Sequence, residues 1–346
     1  MKLKRILVFI FLSIKLFGAD SLQVRKLSEY LEKYIGIQKH GGWPVVHPKR
    51  ILRSGDTDKC ISQIKERLIL SGDLLSSGKN ISDTFDLELE TAVRHFQLRH
   101  AIVSDGILGK RTISEMNIPV QYRIRQIKVN LLRWQNFNAP KGVYMIVNIP
   151  SQQFELKNRD SVIMNMRVIV GRPSRKTPTL AADIGQVEFN PYWIIPPRIT
   201  VKDLLPKLKQ NPSYMKDNHI HLINGVYVQK PGGSNPMGKI KFTFPNHNYV
   251  YFHDTPNKEL FEKVNRTFSS GCVRLENAYE LACYVLRKDK GWSRHEVDSM
   301  IHGEKHYKIQ LQEPVAAYIA YFTSWVDASG TLYFAQDVYR KDQMNL

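Results

Sequence analysis

The residues with the clearest chemical potential lie in one segment, 251–278, which reads YFHDTPNKELFEKVNRTFSSGCVRLENA. Cys272 follows a Ser-Ser-Gly run, and His253 lies 19 residues upstream at the end of a predicted strand. A free cysteine titrates near ~8.5, so a catalytic thiol needs either a lowered pKa or a base. We interpret His253 as that base, which takes the thiol proton and returns it to a leaving amine. The pattern predicts acyl transfer through a cysteine.

The backbone around Cys272 suits the same chemistry. Gly271 allows a close approach of the chain, so that its N–H and that of Cys272 can point at a developing oxyanion. We expect Cys272 in a loop between a strand and a helix, whose positive end would favour a thiolate. A cysteine and a histidine 19 residues apart are weak evidence by themselves, because the chain has 11 histidines.

Composition limits the class of protein. The chain has 346 residues, which predicts two or three domains. Its 42% hydrophobic and 24% charged residues exclude global disorder and a multi-span membrane protein. A net charge of +18 favours an anionic partner, namely nucleic acid, a lipid headgroup or an acidic wall polymer. No helix-turn-helix, zinc or RNA-recognition signature is present, so we expect no nucleic-acid partner.

The cysteine count argues against a disulfide scaffold or a cysteine-rich zinc module. Besides Cys272 there are only Cys60 and Cys283, which are too scattered for either. We interpret both as buried core thiols, because Cys283 falls on the apolar face of a predicted amphipathic helix and Cys60 lies in a helical module.

The first residues predict export. Three basic residues precede the apolar run 6–14, and small residues follow at Gly18 and Ala19. This run is shorter than the ~20 residues that span a bilayer, so we predict a secretory signal peptide at 1–19, with an uncleaved N-terminal anchor as the alternative. Export shifts the expected anionic partner to the cell envelope and predicts a periplasmic protein.

Apolar periodicity divides the rest of the chain and predicts the α+β class. Helical spacing gives way after residue 140 to short β-branched and aromatic runs that are typical of strands. The predicted divisions are an N-terminal segment (20–50), a small helical domain (51–118), a linker helix (119–140), a β-rich domain (141–310) with a partly helical insertion at about 196–235, and a C-terminal extension (311–346). Asn277 is predicted to cap a helix that follows Cys272.

Two parts of the chain resemble known families. The string AVRHFQLRHAIVSDGILGKRTISEMN resembles the peptidoglycan-binding type-1 domain, a three-helix module, with a helical spacer that binds nothing as the alternative. His-Asp-Thr-Pro followed by Ser-Ser-Gly-Cys-Val-Arg-Leu resembles the signature of the L,D-transpeptidases (YkuD domain), in particular the large periplasmic YcbB-type branch. Strings such as FNPYW, FPN and TSWVDASGTLYF agree, so the resemblance covers about 51–345.

The second resemblance implies a β-rich catalytic domain that acts on peptidoglycan stem peptides without metal or organic cofactor. The cysteine would attack the bond between the L-centre of meso-diaminopimelate and D-Ala in a tetrapeptide donor, forming a thioester. An amine of a second diaminopimelate would resolve it into a 3→3 cross-link, whereas water as acceptor would make an L,D-carboxypeptidase. The resemblance also implies acylation by carbapenems and allows envelope protein partners.

Carried onto this sequence, the resemblance assigns Cys272 as nucleophile and His253 as base. Asp254 would orient the imidazole through its backbone carbonyl, and the N–H groups of Gly271 and Cys272 would form the oxyanion hole. Arg274 suits a carboxylate of the stem peptide, which a guanidinium grips bidentately, with a structural salt bridge as the alternative.

Three further residues are assigned to substrate binding. Tyr251 lies two before His253, hence on the same strand face, and would line the donor pocket or pack across strands. Trp193 would form pocket wall or plain core. Ser270 would stabilise the loop and not react. The insertion that begins at residue 196 corresponds to the family's capping subdomain, which lies over the substrate groove.

Two other functions compete. A zinc amidase or D,D-carboxypeptidase is suggested by the pair His219 and His221 and the pair His302 and His306, but no His-Glu-x-x-His motif is present. The second is a non-catalytic wall-binding protein in which Cys272 is a relic.

Overall fold

The structure is a computed structural model that describes residues 22–75, 81–159, 161–303 and 305–343. The predicted signal peptide at 1–19 lies outside these residues. Among the described helices, none combines the length and apolar character that crossing a membrane requires.

Helices dominate the first part of the chain. They are α1 (Leu22–Lys39), α2 (Ile61–Ser71), α3 (Leu87–Arg99), α4 (Lys110–Met116) and α5 (Val120–Gln135). Helix α3 begins at Asp86, whose carboxylate accepts a hydrogen bond from the Leu89 N–H at 2.9 Å. Buried apolar residues of α2 and α3 share one core with Leu108 and Met116. Gly106, in the turn after α3, has φ 73°.

Strands dominate from residue 143 onwards. They are β1 (Val143–Asn148), β2 (Gln153–Asn158), β3 (Ser161–Gly171), β4 (Leu180–Phe189), β5 (Trp193–Ile194), β6 (Ile220–Ile223), β7 (Val226–Gln229), β8 (Ile240–Thr243), β9 (Phe252–His253), β10 (Thr267–Ser269), β11 (Val273–Leu275), β12 (Tyr307–Ala320), β13 (Ser324–Val326) and β14 (Leu332–Phe334). The remaining helical segments are α6 (Pro197–Ile199), a π-helical turn (Thr200–Leu204), α7 (Leu205–Gln210), α8 (Tyr214–Asp217), a 3₁₀ turn (Lys258–Glu262), α9 (Ala278–Lys290) and α10 (Arg294–His302). The α+β class is thereby confirmed.

The main sheet closes on itself. Its order is β10-β3-β11-β9-β8-β4-β12-β1-β2, and β2 also pairs with β3, so eight strands form a closed ring with β10 added outside. Closure leaves few unpaired edges. The largest apolar core combines residues of these strands with Leu281, Val285 and Leu286 of α9. Helix α9 therefore packs against the sheet directly after the segment that carries Cys272.

The predicted cap of α9 is present. The Asn277 side chain accepts a hydrogen bond from the Glu280 N–H at 3.3 Å, and Gly291 ends the helix in the left-handed conformation, with φ 73°. Cys283 is buried against the core as expected, whereas Cys60 is only partly buried at the edge of the helical core.

The predicted boundary at residue 310 falls inside β12, which lies between β4 and β1 in the sheet. The run Gln310–Pro314 hides this strand from periodicity, and here its register with β4 shifts. Beyond it, the hairpin of β13 and β14 packs Val326 and Phe334 against α1 and α5. The C-terminal extension thus joins the N-terminal helix to the main sheet.

The segment from β5 to β7 forms a small subdomain, here called the cap. Its three-stranded sheet has the order β5-β7-β6, and its own core contains Ile195, Leu204 and Ile220. The run 226–229, inside the insertion predicted at about 196–235, is the middle strand of this cap.

Candidate active site

Cys272 lies in a tight loop between β10 and β11, and not between a strand and a helix as predicted. The residues after it form β11 because Val273 and Leu275 are fully buried and the strand pairs with both β3 and β9. Helix α9 begins only at Ala278, so its positive end is separated from the thiol by a whole strand.

Gly271 and Ser269 shape this loop. Gly271 has φ 127°, a conformation that residues with a Cβ rarely adopt. The Ser269 hydroxyl donates to the Cys272 carbonyl at 2.5 Å and accepts from the Gly271 N–H at 3.1 Å. Of the two amides predicted for an oxyanion hole, that of Gly271 is therefore engaged by Ser269. Among the described residues, the Cys272 N–H has no hydrogen-bond acceptor.

His253 sits on the strand next to the one that follows Cys272. Strands β9 and β11 run parallel, with Phe252 opposite Val273 and His253 opposite Arg274, and the Val273 N–H donates to the Tyr251 carbonyl at 3.0 Å. Cys272 directly precedes β11 and His253 ends β9, so this register places the two residues diagonally across the pair of strands. The His253 Nδ1 lies 2.5 Å from the Asp254 carbonyl oxygen, which fixes Nδ1 as the protonated nitrogen and leaves Nε2 as the base.

The Asp254 carboxylate holds the turn and not the imidazole. Its Oδ2 accepts from the Lys239 N–H at 2.9 Å, and its Oδ1 accepts from Lys258 Nζ at 2.6 Å. Gly238, with φ 64°, makes room for it, since a Cβ there would lie 2.4 Å from Oδ2. Only the backbone carbonyl of Asp254 contacts the ring, as the resemblance implied.

Burial determines the charge state of the two reacting groups. Burial, together with the positive charge of Arg274, lowers the pKa of the His253 imidazole to about 3. Burial also raises the pKa of the Cys272 thiol, although Arg274 and Lys241 oppose this. At neutral pH the pair is therefore a thiol and a neutral imidazole, and not the preformed thiolate that the predicted helix end would have favoured.

The low pKa of His253 predicts a pH-dependent stability. In the unfolded chain a histidine takes up a proton near pH ~6.5, whereas buried His253 stays neutral, so its contribution is complete above that pH and is lost as the pH falls towards 3. Between pH 7.5 and 5 we expect a loss of about 2 kcal/mol in the free energy of unfolding. Urea unfolding of the wild type and of His253→Gln at several pH values checks this. If the free energy of unfolding falls equally with pH in both proteins, the prediction is wrong.

Four polar side chains form a row across adjacent strands, on the face opposite the main core. Glu188 pairs in register with Lys241, Lys241 with His253, and His253 with Arg274. Arg274 makes no ion pair with a described acidic residue, and its Nε is buried without a hydrogen-bond partner. The alternative role of Arg274 as a structural salt bridge therefore has no support.

The sequence analysis did not identify Lys241 and Glu188 as residues of the site. Lys241 Nζ lies 2.9 Å from Glu188 Oε1 and 4.2 Å from the ring centroid of Tyr251. His306 Nε2, one of the histidines of the zinc alternative, lies 3.0 Å from Glu188 Oε2, and no group of three potential metal ligands occurs among the described residues. The alternation Lys241-Phe242 was visible in the sequence, but only the strand register shows that this lysine faces the site.

We expect Lys241→Met to lower the free energy of unfolding by about 3 kcal/mol, because it leaves the buried Glu188 carboxylate without its cation. Denaturant unfolding measures the effect. The double variant Lys241→Met with Glu188→Gln should recover part of it, and a double variant that is less stable than the single one would contradict this account.

The remaining predicted residues divide between site and cap. Tyr251 is half-buried, and its ring contacts Lys241 Nζ. Burial is the main cause that raises the pKa of the Tyr251 hydroxyl, and the neighbouring Cys272 raises it further when that thiol is ionised. Ser270 Oγ accepts hydrogen bonds from Arg175 at 2.9 Å and from Arg172 at 3.2 Å, so it ties the loop to the segment after β3. Trp193 packs against the core of the cap, and no hydrogen bond or ring contact among the described residues joins it to Cys272.

Comparison with known proteins identifies a family model that matches the part of the chain carrying these residues. Residues 142–297 match the family model described as "L,D-transpeptidase catalytic domain" (YkuD), which includes the whole row and the Cys272 loop. Residues 142–297 are a YkuD-family L,D-transpeptidase domain. Residues 58–116 match a second model, "Putative peptidoglycan binding domain", which confirms both resemblances seen in the sequence.

The individual relatives of this chain are distant. A Haemophilus influenzae protein described as "Putative L,D-transpeptidase" is 31% identical over 223 residues, which cover 58% of this chain and 45% of the relative. The chain thus spans less than half the length of that relative. Among solved structures, an L,D-transpeptidase from Mycobacterium smegmatis is 14% identical, with a TM-score of 0.30, over 53% of this chain and 61% of that chain. One from Stackebrandtia nassauensis is 14% identical, with a TM-score of 0.29, over 81% and 100%.

Proposed function

We propose that this protein is a cysteine L,D-transpeptidase that forms 3→3 cross-links between peptidoglycan stem peptides through a thioester on Cys272. The observation that carries the proposal is the hydrogen bond from His253 Nδ1–H to the Asp254 carbonyl at 2.5 Å, which leaves a neutral Nε2 beside the loop of the partly buried Cys272 thiol. The match of residues 142–297 to the YkuD domain supports it.

The first half-reaction acylates the thiol. His253 Nε2 accepts the Cys272 proton as the sulfur attacks the carbonyl of the L-centre of diaminopimelate in a tetrapeptide. The amide C–N bond breaks, a C–S bond remains, and His253 returns the proton to the amine of the departing D-Ala. The free Cys272 N–H stabilises the tetrahedral oxyanion. The Gly271 N–H can donate to the same oxyanion once its hydrogen bond to Ser269 Oγ is broken.

The second half-reaction resolves the thioester. The side-chain amine of a second diaminopimelate attacks the thioester carbonyl, His253 removes the proton of that amine, and the C–S bond breaks to regenerate the Cys272 thiol. Arg274, next to the site and without an acidic partner, binds a carboxylate of the stem peptide. Removal of D-Ala by water alone would make the protein an L,D-carboxypeptidase.

The location of this reaction would be the periplasm. The basic N-terminal start and apolar run 6–14 support export, and the net charge of +18 supports attraction to an anionic envelope. The module at 58–116 would hold the enzyme on peptidoglycan.

Purified protein and a tetrapeptide-bearing muropeptide test the proposal. Mass spectrometry should find dimers joined through two diaminopimelates, together with one free D-Ala for each cross-link. Tripeptide without dimers would identify a carboxypeptidase instead. Unchanged muropeptide, together with no mass adduct on Cys272 after incubation with a carbapenem, would refute both and leave a non-catalytic wall-binding protein.

A further inference from the structure

Two arginines flank the nucleophile loop with unsatisfied donors. Arg274 follows Cys272 by two residues, and Arg172 lies just after β3, against the other side of the same loop. The Nε of each is buried and has no hydrogen-bond partner among the described residues. A buried, charged N–H group without an acceptor is unfavourable, so two of them beside one thiol indicate an acceptor supplied by a ligand.

Arg172 is anchored where such a ligand would bind. Its backbone N–H donates to the Ser269 carbonyl at 3.1 Å, and its Nη2 lies 3.2 Å from Ser270 Oγ. Both contacts belong to the loop that ends at Cys272. The position of the Arg172 guanidinium is therefore coupled to that of the nucleophile.

Arg175, in the same segment, has a structural role and serves as a comparison for Arg172 and Arg274. Its Nη2 lies 2.7 Å from Asp203 Oδ1, its Nη1 also contacts that carboxylate, and it donates to Ser270 Oγ as well. Arg175 thus has a carboxylate from the cap as its counter-ion. Among the ion pairs of the described residues, neither Arg172 nor Arg274 has one.

The two guanidinium groups also affect one another. Burial lowers the pKa of the Arg274 guanidinium, and the positive charge of Arg172 lowers it further. Two cations held together in a buried place repel each other, and a bound anion removes that repulsion. This charge arrangement favours an anionic ligand over a neutral one.

We propose that Arg172 and Arg274 together form a carboxylate-binding site that holds the donor peptide beside Cys272. The identity of the peptide rests on the proposed function. The two residues joined by the scissile bond each carry one candidate group, the terminal carboxylate of D-Ala and the side-chain carboxylate of diaminopimelate. A planar guanidinium matches a carboxylate through two parallel hydrogen bonds, and Arg172 extends the site to a second guanidinium.

Binding to the Cys272→Ala protein, which cannot be acylated, tests this site. Isothermal titration with the tetrapeptide stem should show that adding Arg172→Met weakens the Kd roughly 10- to 100-fold, as expected for lost hydrogen bonds to a charged group. Arg172→Lys keeps the positive charge but loses the planar pair of N–H donors. Its Kd should lie between those of the parent and the Arg172→Met variant. Arg287→Met, an exposed arginine at the end of α9, is the matched control and should leave the Kd unchanged.

Two modified peptides identify the carboxylate. One ends in D-alaninamide and the other carries an amide on the diaminopimelate side chain. The Arg172→Met penalty should vanish on the peptide that lacks the bound carboxylate and persist on the other. The same Kd in Arg172→Met and its parent, or the same penalty on all three peptides, would overturn the site. The wild type could bind the peptide through its carboxylate and yet release no D-Ala. That result would refute the proposed function but would still support this binding site.

Discussion

Replacing Cys272 with alanine should lower the rate of D-Ala release from the tetrapeptide by on the order of 10⁶-fold, as seen when the nucleophile of a serine protease is removed. The methyl group cannot form the thioester on which both half-reactions depend. Release of D-Ala, measured by a coupled assay, and the intact mass of the protein after a single turnover check this. Substantial turnover without an acyl adduct would refute the assignment of Cys272.

The other two cysteines provide the matched controls. Burial is the main cause that raises the pKa of the Cys60 thiol to about 12, and burial also raises that of Cys283. Like Cys272, each thiol therefore needs a base to lose its proton at neutral pH, but neither lies beside His253. Cys60 packs beside the helical core, and Cys283 lies in the main core, on the face of the sheet opposite the row of polar residues. Cys60→Ala and Cys283→Ala should keep wild-type acylation, and a loss in either that is not explained by a lower melting temperature would place the nucleophile elsewhere.

The sequence could predict the parts of this site that are local. Cys272 and His253 were visible because the dipeptide His-Asp and the run Ser-Ser-Gly-Cys are rare and specific. Gly271 was recognisable because a residue without a Cβ adopts φ 127° at little cost. The Asn277 cap followed from the short-range geometry of a helix N-terminus. Each depends on residues within one turn or one loop.

Contacts between distant strands could not be predicted in the same way. Strand β11 has only three residues and exists because β3 and β9 flank it, so periodicity assigned its residues to a loop before a helix. Glu188 and Lys241 meet because β4 and β8 share a register, although 53 residues separate them. Register is a property of the closed sheet, and a shift by one residue would turn every side chain to the other face.

The same limit applies to Arg172 and the cap. Arg172 reaches the Cys272 loop because β10 pairs with the end of β3, a parallel pairing that links residues about a hundred positions apart. The sequence also did not show that Trp193 belongs to the cap, where β5 pairs with β7 over only two residues. Short strands carry the same residue types in either sheet, so composition does not distinguish them.

Substituting His253 with alanine should slow acylation by roughly 10²- to 10⁴-fold at pH 7, the usual contribution of general acid–base catalysis. The reason lies in the charge states of the pair. Burial raises the pKa of the Cys272 thiol, so at this pH the thiol depends on a base to lose its proton. A neutral imidazole, which burial maintains by lowering the pKa of His253 to about 3, is available for that step. Single-turnover mass spectrometry measures the acylation rate.

The pH profile separates a base from a residue that only holds the loop. In His253→Ala, acylation should rise about tenfold for each pH unit up to the thiol pKa, because hydroxide in solvent then forms the thiolate that the imidazole no longer forms. The wild type should be far less dependent on pH, and the difference between the two should narrow in alkaline solution. His295→Ala, an exposed histidine on α10, should follow the wild type throughout. A constant ratio between His253→Ala and the wild type at every pH would show that the imidazole positions the thiol without accepting its proton.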